Sequence, residues 1–277
     1  MLRWIAALAA AAVLTGSAAE TYAGVLYGAD GSGSNPSTLY TIDTSTGAAT
    51  AIGSIGYAVT GLAFDPTTGI LYGGTTRNSS FIGLLTIDTT TGAGTQVGTY
   101  NTSVFSFTES MADISFDSAG NLYGWLEPGS DDLYSINKAT GAATLVGEAG
   151  IGTATSGLAF DNSGTLYLES LGTLYTLNPA TGGVLSSVSA VSAAIGLGLA
   201  VDENNVLYGL EKQDFSQTAR NLITIDKTTG AYTIIGPTAD RMDALAFAPN
   251  AVPEPASLTL LGFGAVGMVA LRRRRRA

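Results

Sequence analysis

The chain has 277 residues, of which 45% are hydrophobic and only 12% charged, a composition that argues against disorder and suits many short strands. Between residues 20 and 252, 21 acidic residues stand against six basic ones, a net charge of −15 (6 − 21) that opposes binding to nucleic acid or anionic membranes and favours cations, basic partners or neutral ligands. The absence of Cys and His excludes disulfides, zinc–thiolate sites and a histidine general base.

Residues 1–19 are typical of a secretory signal peptide. Arg3 supplies the positive start, residues 4–14 form a short apolar run, and Ser17, Ala18 and Ala19 offer the small residues of a cleavage site. The apolar run is too short to span a membrane. The sequence therefore predicts an exported protein whose mature chain begins at Glu20.

Two motifs alternate through the body of the chain. The first is a nonapeptide, loosely Leu-x-x-Ile-Asp/Asn-x-x-Thr-Gly, with copies at residues 39–47, 84–92, 133–141, 174–182 and 222–230. The second is Leu-Ala-Phe-Asp, a turn and Leu-Tyr, with versions at residues 62–72, 114–123, 158–167 and 199–208. The final glycines of the nonapeptides are 45, 49, 41 and 48 residues apart, and a period near 45 with four short strands per unit is typical of a β-propeller blade.

Each unit is predicted to hold four strands. The second motif supplies strands a and b, the nonapeptide supplies strand c and the c–d turn, and the run that follows supplies strand d. Residues 26–28 are a strand b without a strand a before it, and residues 245–248 are a strand a without a strand b after it. Pairing the two completes one blade and removes the exposed edges, which a non-closing β-solenoid would not explain.

The fold prediction is therefore an all-β, five-bladed β-propeller of four-stranded blades at residues 20–250, closed by pairing of the N- and C-terminal strands. An N-terminal signal peptide precedes it and a C-terminal transmembrane sorting helix follows it.

The repeated Asx and Gly residues of the nonapeptide are predicted to be structural. Asp or Asn can begin a turn by bonding the backbone two residues on, and glycine then supplies a positive φ. A calcium loop is the alternative, but it needs several oxygen ligands over about 12 residues, and each turn offers one Asx residue. No metal and no cofactor is predicted. The residues concerned are Asp43, Asp88, Asn137, Asn178 and Asp226, with Gly47, Gly92, Gly141, Gly182 and Gly230.

Function is expected on the face that carries the b–c and d–a connections, because these vary in length while the a–b and c–d turns are uniform. Asp113 is the most conspicuous residue there, since glycine occupies its position in three sister blades. Trp125, with Phe105 and Phe107, is a candidate to stack on sugar rings. The candidate ligand-binding residues are Glu109, Asp113, Trp125, Glu127, Glu169, Glu211, Arg241 and Asp243.

Three functions compete at that face. The first is a non-enzymatic surface or matrix protein that binds a polysaccharide or another protein. The second is a glycoside hydrolase that uses two carboxylates, for which Glu109, Asp113, Glu127, Glu169 and Glu211 are available without a spacing that singles out a pair. The third is a quinone-dependent dehydrogenase, because the nonapeptide loosely resembles the blade repeat of quinoprotein propellers. Those repeats carry tryptophan in each blade, whereas the mature chain here has only Trp125, so we set this function aside.

The carboxyl end has three parts in a fixed order. Val252-Pro-Glu-Pro255 is followed by an apolar run at residues 258–271 and then by a terminal cluster of five arginines. The run is short for a membrane span of about 20 residues, and the arginines stand where the positive-inside rule places them in an inner-membrane protein. The cluster consists of Arg272, Arg273, Arg274, Arg275 and Arg276.

Residues 251–277 resemble the PEP-CTERM sorting signal of Gram-negative bacteria. The resemblance implies that Pro253, Glu254 and Pro255 are the recognition residues for an exosortase, a membrane protease. It also implies a path through an inner-membrane intermediate to the cell surface or the exopolysaccharide matrix. We therefore expect an exported, non-enzymatic propeller, with the exosortase and exopolysaccharide as partners and no nucleic acid; the carboxylate-based glycoside hydrolase is the alternative.

Overall fold

The computed structural model describes residues 24–31, 33–100, 109–129, 131–189, 197–212 and 218–249. The predicted signal peptide, the sorting signal, Phe105 and Phe107 lie outside these residues. No helix in the described part of the chain is long and apolar enough to cross a membrane.

Five antiparallel four-stranded sheets form the body, which confirms the predicted propeller. Each sheet is one blade, and its strands run in the order a, b, c, d from the central channel outward. Blade 1 consists of β20 (Met242–Phe247), β1 (Leu26–Asp30), β2 (Thr38–Ile42) and β3 (Ala49–Ser54); blade 2 of β4 (Val59–Phe64), β5 (Leu71–Thr75), β6 (Gly83–Ile87) and β7 (Gly94–Thr99). Blade 3 consists of β8 (Ser110–Phe116), β9 (Leu122–Glu127), β10 (Asp132–Ile136) and β11 (Ala143–Glu148).

Blades 4 and 5 follow the same plan. Blade 4 consists of β12 (Gly157–Phe160), β13 (Leu166–Ser170), β14 (Thr173–Leu177) and β15 (Val184–Ser189); blade 5 of β16 (Ala200–Val201), β17 (Leu207–Glu211), β18 (Asn221–Ile225) and β19 (Tyr232–Pro237). The innermost strands β20, β4, β8, β12 and β16 contact one another in a ring.

The two half-blades pair as the sequence predicts. Strand β1 lies against β20 with Leu26 opposite Phe247 and Gly28 opposite Leu245. The first and last strands of the body thus share one sheet, and this pairing closes the ring.

The repeated turns also match their prediction. Asp43 Oδ1 accepts the backbone N–H of Ser45 at 2.7 Å, and the four equivalent residues accept the N–H two positions on at 2.7 to 2.9 Å. The glycine that ends each turn has a φ between 73° and 82°, a region that residues with a Cβ rarely adopt. The Asx side chains are thus bound to their own turns.

Neighbouring blades are joined by a repeated aromatic contact. The tyrosine of strand b in one blade packs against the phenylalanine at the end of strand a in the next, with ring centroids 5.1 to 5.4 Å apart. Such tilted pairs add roughly 0.5–1.5 kcal/mol beyond the burial of their surface. The four pairs are Tyr27–Phe64, Tyr72–Phe116, Tyr123–Phe160 and Tyr208–Phe247.

A second repeated contact lies farther from the axis, where glycine backbones approach each other. A Cβ on Gly92 would lie 2.6 Å from the carbonyl oxygen of Gly53 in the preceding blade, so no larger residue fits without movement. Equivalent approaches join Gly98 to Gly141, Gly147 to Gly182 and Gly236 to Gly47. The junction between blades 4 and 5 departs from the pattern, because Val188 and Val201 stand where the other blades have glycine and phenylalanine.

Candidate binding site at the channel mouth

The two faces of the ring differ as predicted. The face we call regular carries the a–b and c–d turns, and the face we call variable carries the b–c and d–a connections. The central channel opens on both faces, but a single side chain closes it between them.

Asp113 lies inside the channel and is fully buried. Its Oδ2 accepts the N–H groups of Leu158 at 2.9 Å and Leu199 at 3.3 Å, and its Oδ1 accepts that of Ile114 at 2.8 Å. These donors belong to the inner edges of three different blades, where strand a has no further strand to pair with. Burial raises the pKa of Asp113 well above its usual range, although the three N–H groups counteract this.

This geometry corrects the role expected for Asp113. A carboxylate at this position satisfies backbone donors that would otherwise face an open channel, so it holds blades 3, 4 and 5 together rather than binding a ligand at the surface. The Cβ of a residue replacing Gly61 would meet the Asp113 carboxylate at 2.9 Å, so the neighbouring blade leaves room for it by having glycine there.

Trp125 also needs correction. Its ring is fully buried among Leu133, Leu158 and Leu168 between blades 3 and 4, and its Nε1–H donates to Thr153 Oγ1 at 3.0 Å. Because no part of the ring reaches solvent, it cannot stack on a sugar. It is a core residue of the blade junction.

Above Asp113, the channel widens into a cavity of about 300 Å³ on the variable face, which we call the variable mouth. Each blade contributes the residue that precedes the innermost repeat position: Thr60, Ala112, Ser156, Leu197 and Asp243. The b–c and d–a connections and the strand ends next to them complete the wall with Arg77, Ser110, Met111, Glu127, Pro128, Ala154 and Thr155.

Glu127 ends strand β9 and lies in the wall of the variable mouth. Ser156 donates to it twice, from its backbone N–H at 3.1 Å and from its hydroxyl. Burial raises the pKa of Glu127, although the two bonds from Ser156 counteract the shift. The two bonds from Ser156 therefore fix the direction of the carboxylate in the cavity wall.

Asp243 enters the same cavity from the bulge where strand β20 loses register with β1. Burial raises its pKa to about 6, although the charges of Arg220 and Lys212 counteract the rise. The negative charge of Glu127 raises it further. The side chain is partly exposed, and that exposure faces the cavity.

Glu169 lies behind this wall, at the end of strand β13, and is only 1% exposed. Its Oε1 accepts the N–H of Gly172 at 2.9 Å, while its Oε2 has no hydrogen-bond partner among the described residues. Burial raises the pKa of Glu169 to about 8, with a further rise from Glu127 and opposition from Gly172 and Lys212. At neutral pH the group is mainly protonated.

Sequence reasoning missed two cations that belong to this cluster. Lys212 is buried, and burial followed by the charge of Arg220 lowers its pKa, while Asp243, Glu169 and Glu127 oppose that change. Arg220 donates from Nη1 to the carbonyl oxygens of Thr218 and Ala219, both at 3.1 Å. The repeat register contains the signal, because Lys212 and Glu127 both stand five residues after the leucine that begins strand b.

The other predicted residues lie away from the cavity. Glu211 Oε2 accepts the amide of Asn221 at 2.7 Å and closes the base of a b–c connection. Glu109 directly precedes strand β8, and burial first and then Asp132 and Glu109 raise the pKa of Tyr134 to about 12. Arg241 is exposed with a φ of 59°, and its backbone N–H donates to Thr218 O at 2.7 Å.

The wall of the variable mouth combines hydrogen-bonding and apolar side chains. The wall offers carboxylates, hydroxyls and a guanidinium, which can accept and donate hydrogen bonds to a hydroxyl-rich molecule. In the described part of the chain, no group of three Asp or Glu residues is placed to hold a metal ion.

Comparison with known proteins assigns one segment of the chain. The family model of the PEP-CTERM protein-sorting motif matches residues 251–275, so the chain carries the predicted sorting motif and is an exported protein handled by an exosortase. A search of curated proteins found no match.

Two solved structures share the fold, and a third is similar with a TM-score below 0.5. A protein of unknown function from Bacteroides thetaiotaomicron is 16% identical with a TM-score of 0.51, over 82% of this chain and 62% of that one. A symmetrical protein of de novo evolutionary emergence is 18% identical with a TM-score of 0.50, over 82% and 100%. TolB from Acinetobacter baumannii is 10% identical with a TM-score of 0.49, over 82% and 67%. At these identities the likeness concerns the fold alone.

Proposed function

We propose that this propeller is a non-enzymatic binding module of the cell surface or extracellular matrix, and that it holds a polysaccharide at the variable mouth. The observation that carries the proposal is the convergence of one residue from every blade on a cavity of about 300 Å³ with fixed carboxylates and hydroxyls in its wall. Sugars expose many hydroxyl groups, and such a wall can satisfy them in both directions.

The point at which the described chain leaves the propeller supports placing the ligand at the variable mouth. Pro249, the last described residue before the motif, lines the channel opening on the regular face, and so does Gly24 near the start of the mature chain. The described chain therefore leaves the propeller at the regular face. The variable mouth is on the opposite side, where a long polymer can reach it.

Sugar hydrolysis is the second candidate, because Glu169 and Asp243 have pKa values raised to about 8 and about 6. A hydrolase needs one protonated acid and one carboxylate on either side of the sugar bond. Glu169 would be the acid, but it is 1% exposed and faces away from solvent. Since an acid must touch the leaving oxygen, this geometry favours binding over catalysis.

The experiment that separates the two functions uses exopolysaccharide from the producing bacterium. The purified protein is incubated with the polymer, and both the sedimented protein and the new reducing ends are measured over time. We expect the protein to sediment with the polymer while the reducing ends stay at the level of the blank. Steady release of reducing ends would establish the hydrolase, and absence from the pellet would remove polysaccharide as the ligand.

The sorting route is tested separately by deleting residues 253–277. We expect the truncated protein to leave the surface fraction and to accumulate in the periplasm or the medium, because the exosortase has no motif to recognise. An unchanged surface location after cell fractionation would contradict the route.

A further inference from the structure

The regular face has its own cavity of about 250 Å³, which we call the regular mouth. Four phenylalanines and one valine line it, one from the end of each strand a. All but one of these side chains are partly exposed toward the cavity. They are Phe64, Phe116, Phe160, Val201 and Phe247, of which Phe116 is the buried one.

The four rings are held rigidly. Each phenylalanine packs at 57° to 61° against the tyrosine of the preceding blade, so its orientation is fixed before any ligand arrives. A preorganised site loses less side-chain entropy on binding than one that must order itself. The regular mouth is therefore a built aromatic ring rather than a loose apolar patch.

The rim of this cavity is acidic. Asp117, Asp161, Asp202 and Glu203 line it, and no Lys or Arg does. Lys227 Nζ lies 2.9 Å from Asp161 Oδ2, and the described rim holds more carboxylates than cations. Aromatic faces carry negative potential, so rings and rim together favour a positive charge with an apolar body.

The same face already holds two ammonium groups in this way. Lys138 Nζ lies 5.7 Å from the centre of the Phe116 ring and 2.6 Å from Asp65 Oδ2. Lys227 Nζ lies 5.7 Å from the centre of the Tyr167 ring and pairs with Asp161. Both lysines sit outside the channel axis, so they illustrate the chemistry without filling the cavity.

We propose that the regular mouth is a binding site for a small organic ammonium ion, with the four phenylalanine rings around its apolar body and the acidic rim compensating its charge. The site is separate from the variable mouth, from which Asp113 divides it. A bulky, weakly hydrated ammonium suits the cavity better than a metal ion, because four of its five inner side chains are aromatic hydrocarbons.

The test compares two probes of the same shape. Choline carries a trimethylammonium group, and 3,3-dimethylbutan-1-ol replaces its nitrogen with carbon. Both are titrated into the full-length protein in a maltoside detergent, with heat as the readout. We expect choline to bind at least about ten-fold more tightly than the neutral alcohol, because only choline gains from the rings and the rim. Equal affinities, or no binding of choline, would overturn the proposal.

Variants locate the site. Phe160→Leu keeps the apolar volume but removes one ring, and we expect it to weaken choline binding by about three- to ten-fold. Val201→Phe completes the ring of five and should strengthen it. Phe81→Leu is the matched control, because Phe81 packs against Tyr57 with ring centres 6.0 Å apart and does not line the cavity. Equal loss in Phe160→Leu and Phe81→Leu would contradict the site.

Because Phe160→Leu also loosens a blade junction, Glu203→Gln provides an independent readout. Glu203 is exposed on the rim, so its substitution leaves the core intact. We expect this variant to reduce choline affinity about two-fold while the neutral alcohol is unaffected. An unchanged choline affinity in Glu203→Gln together with an unchanged affinity in Phe160→Leu would exclude the regular mouth.

Discussion

The carboxylates of the regular face and those of the variable mouth have pKa values shifted in opposite directions. On the regular face, burial alone would raise the pKa of Asp65, but Lys138 and Thr67 outweigh it and lower the value to about 2. At the variable mouth, burial of Glu169 is opposed mainly by one N–H group, and its pKa rises to about 8. Both are buried acids, but Asp65 pairs with the Lys138 ammonium and accepts hydrogen bonds from Thr67, whereas desolvation dominates at Glu169.

The difference follows from where the donors come from. In blades 1, 2 and 5, the c–d turn supplies its own backbone N–H groups, two and three residues after the Asp side chain. The variable connections differ in length and offer no such set. The acids there lie close enough to Lys212 and to one another for their charges to shift the pKa values of Glu169, Lys212 and Asp243.

The largest expected effect comes from a substitution in the repeated glycine contacts between blades. A Cβ at Gly98 would collide with the carbonyl group of Thr140 in the next blade, including its carbon at 2.8 Å. Because backbone on both sides is fixed by the sheets, Gly98→Ala should lower the free energy of unfolding by about 2–4 kcal/mol. Urea denaturation followed by circular dichroism measures it.

Gly152→Ala is the matched control for that change. A Cβ at Gly152 would meet no atom within 4 Å, and its φ is not in the left-handed region. We expect no loss of stability, or a slight gain from the reduced freedom of the unfolded chain. Equal effects of the two substitutions would show that the close approach between blades does not contribute to stability.

A smaller effect concerns the raised pKa of Glu169. The folded pKa of Glu169 is about 8 and its ordinary value is 4.5, so between these pH values the folded state holds a proton that the unfolded state has lost. Stability must therefore fall as pH rises from about 4.5 to about 8. Glu169→Gln removes this dependence, so we expect the variant to be more stable than the natural protein at pH 9 and close to it in stability at pH 5.

The readout is urea denaturation of both proteins at pH 5, 7 and 9. Curves that stay parallel over this range would mean that Glu169 is not protonated in the folded state. The aspartates of the regular face predict the reverse trend at low pH. Their stabilisation is present above about pH 3.8 and is lost as pH falls toward 2, because their folded pKa is about 2.

The smallest effect concerns the ion pair between blades 2 and 3. Lys138→Thr gives blade 3 the residue that blades 1 and 2 have at this turn position, Thr44 and Thr89, and removes the partner of Asp65. Since Lys138 is about one-third exposed and Asp65 keeps its bonds from Thr67, we expect a loss of about 1 kcal/mol at pH 7. The loss should vanish near pH 2, and a loss independent of pH would indicate packing rather than charge.

The sequence was sufficient for the fold because the repeats carry local chemistry. An Asx residue followed four positions later by glycine, as at Asp43 and Gly47, forms the same turn in each blade. The two half-blades could complete each other only in a closed ring. Asp113 shows where this reasoning ends. Its departure from the glycine of the sister blades was visible, but the three N–H groups that bind it come from strands up to 86 residues away.

The surroundings of Trp125 and Lys212 could not be predicted from the sequence, for related reasons. A lone tryptophan on an exported protein resembles a sugar-binding platform, yet its register in strand β9 points it into the junction between blades 3 and 4. Lys212 lies in a b–c connection, and in the sequence it contributed only to the net charge. Its meeting with Glu169 and Asp243 depends on how the connections of blades 1, 4 and 5 converge over the channel, which no local pattern encodes.

The central claim is that ligand binds the variable mouth, and a pair of charge-matched variants tests it most directly. Asp243→Asn removes a carboxylate from the cavity wall, while Asp88→Asn removes one from a turn of the regular face where blades 3 and 4 already have asparagine. The dissociation constant for exopolysaccharide is measured for both. We predict that Asp243→Asn weakens binding about ten-fold or more and that Asp88→Asn leaves it unchanged. Equal affinities in the two variants would contradict the claim.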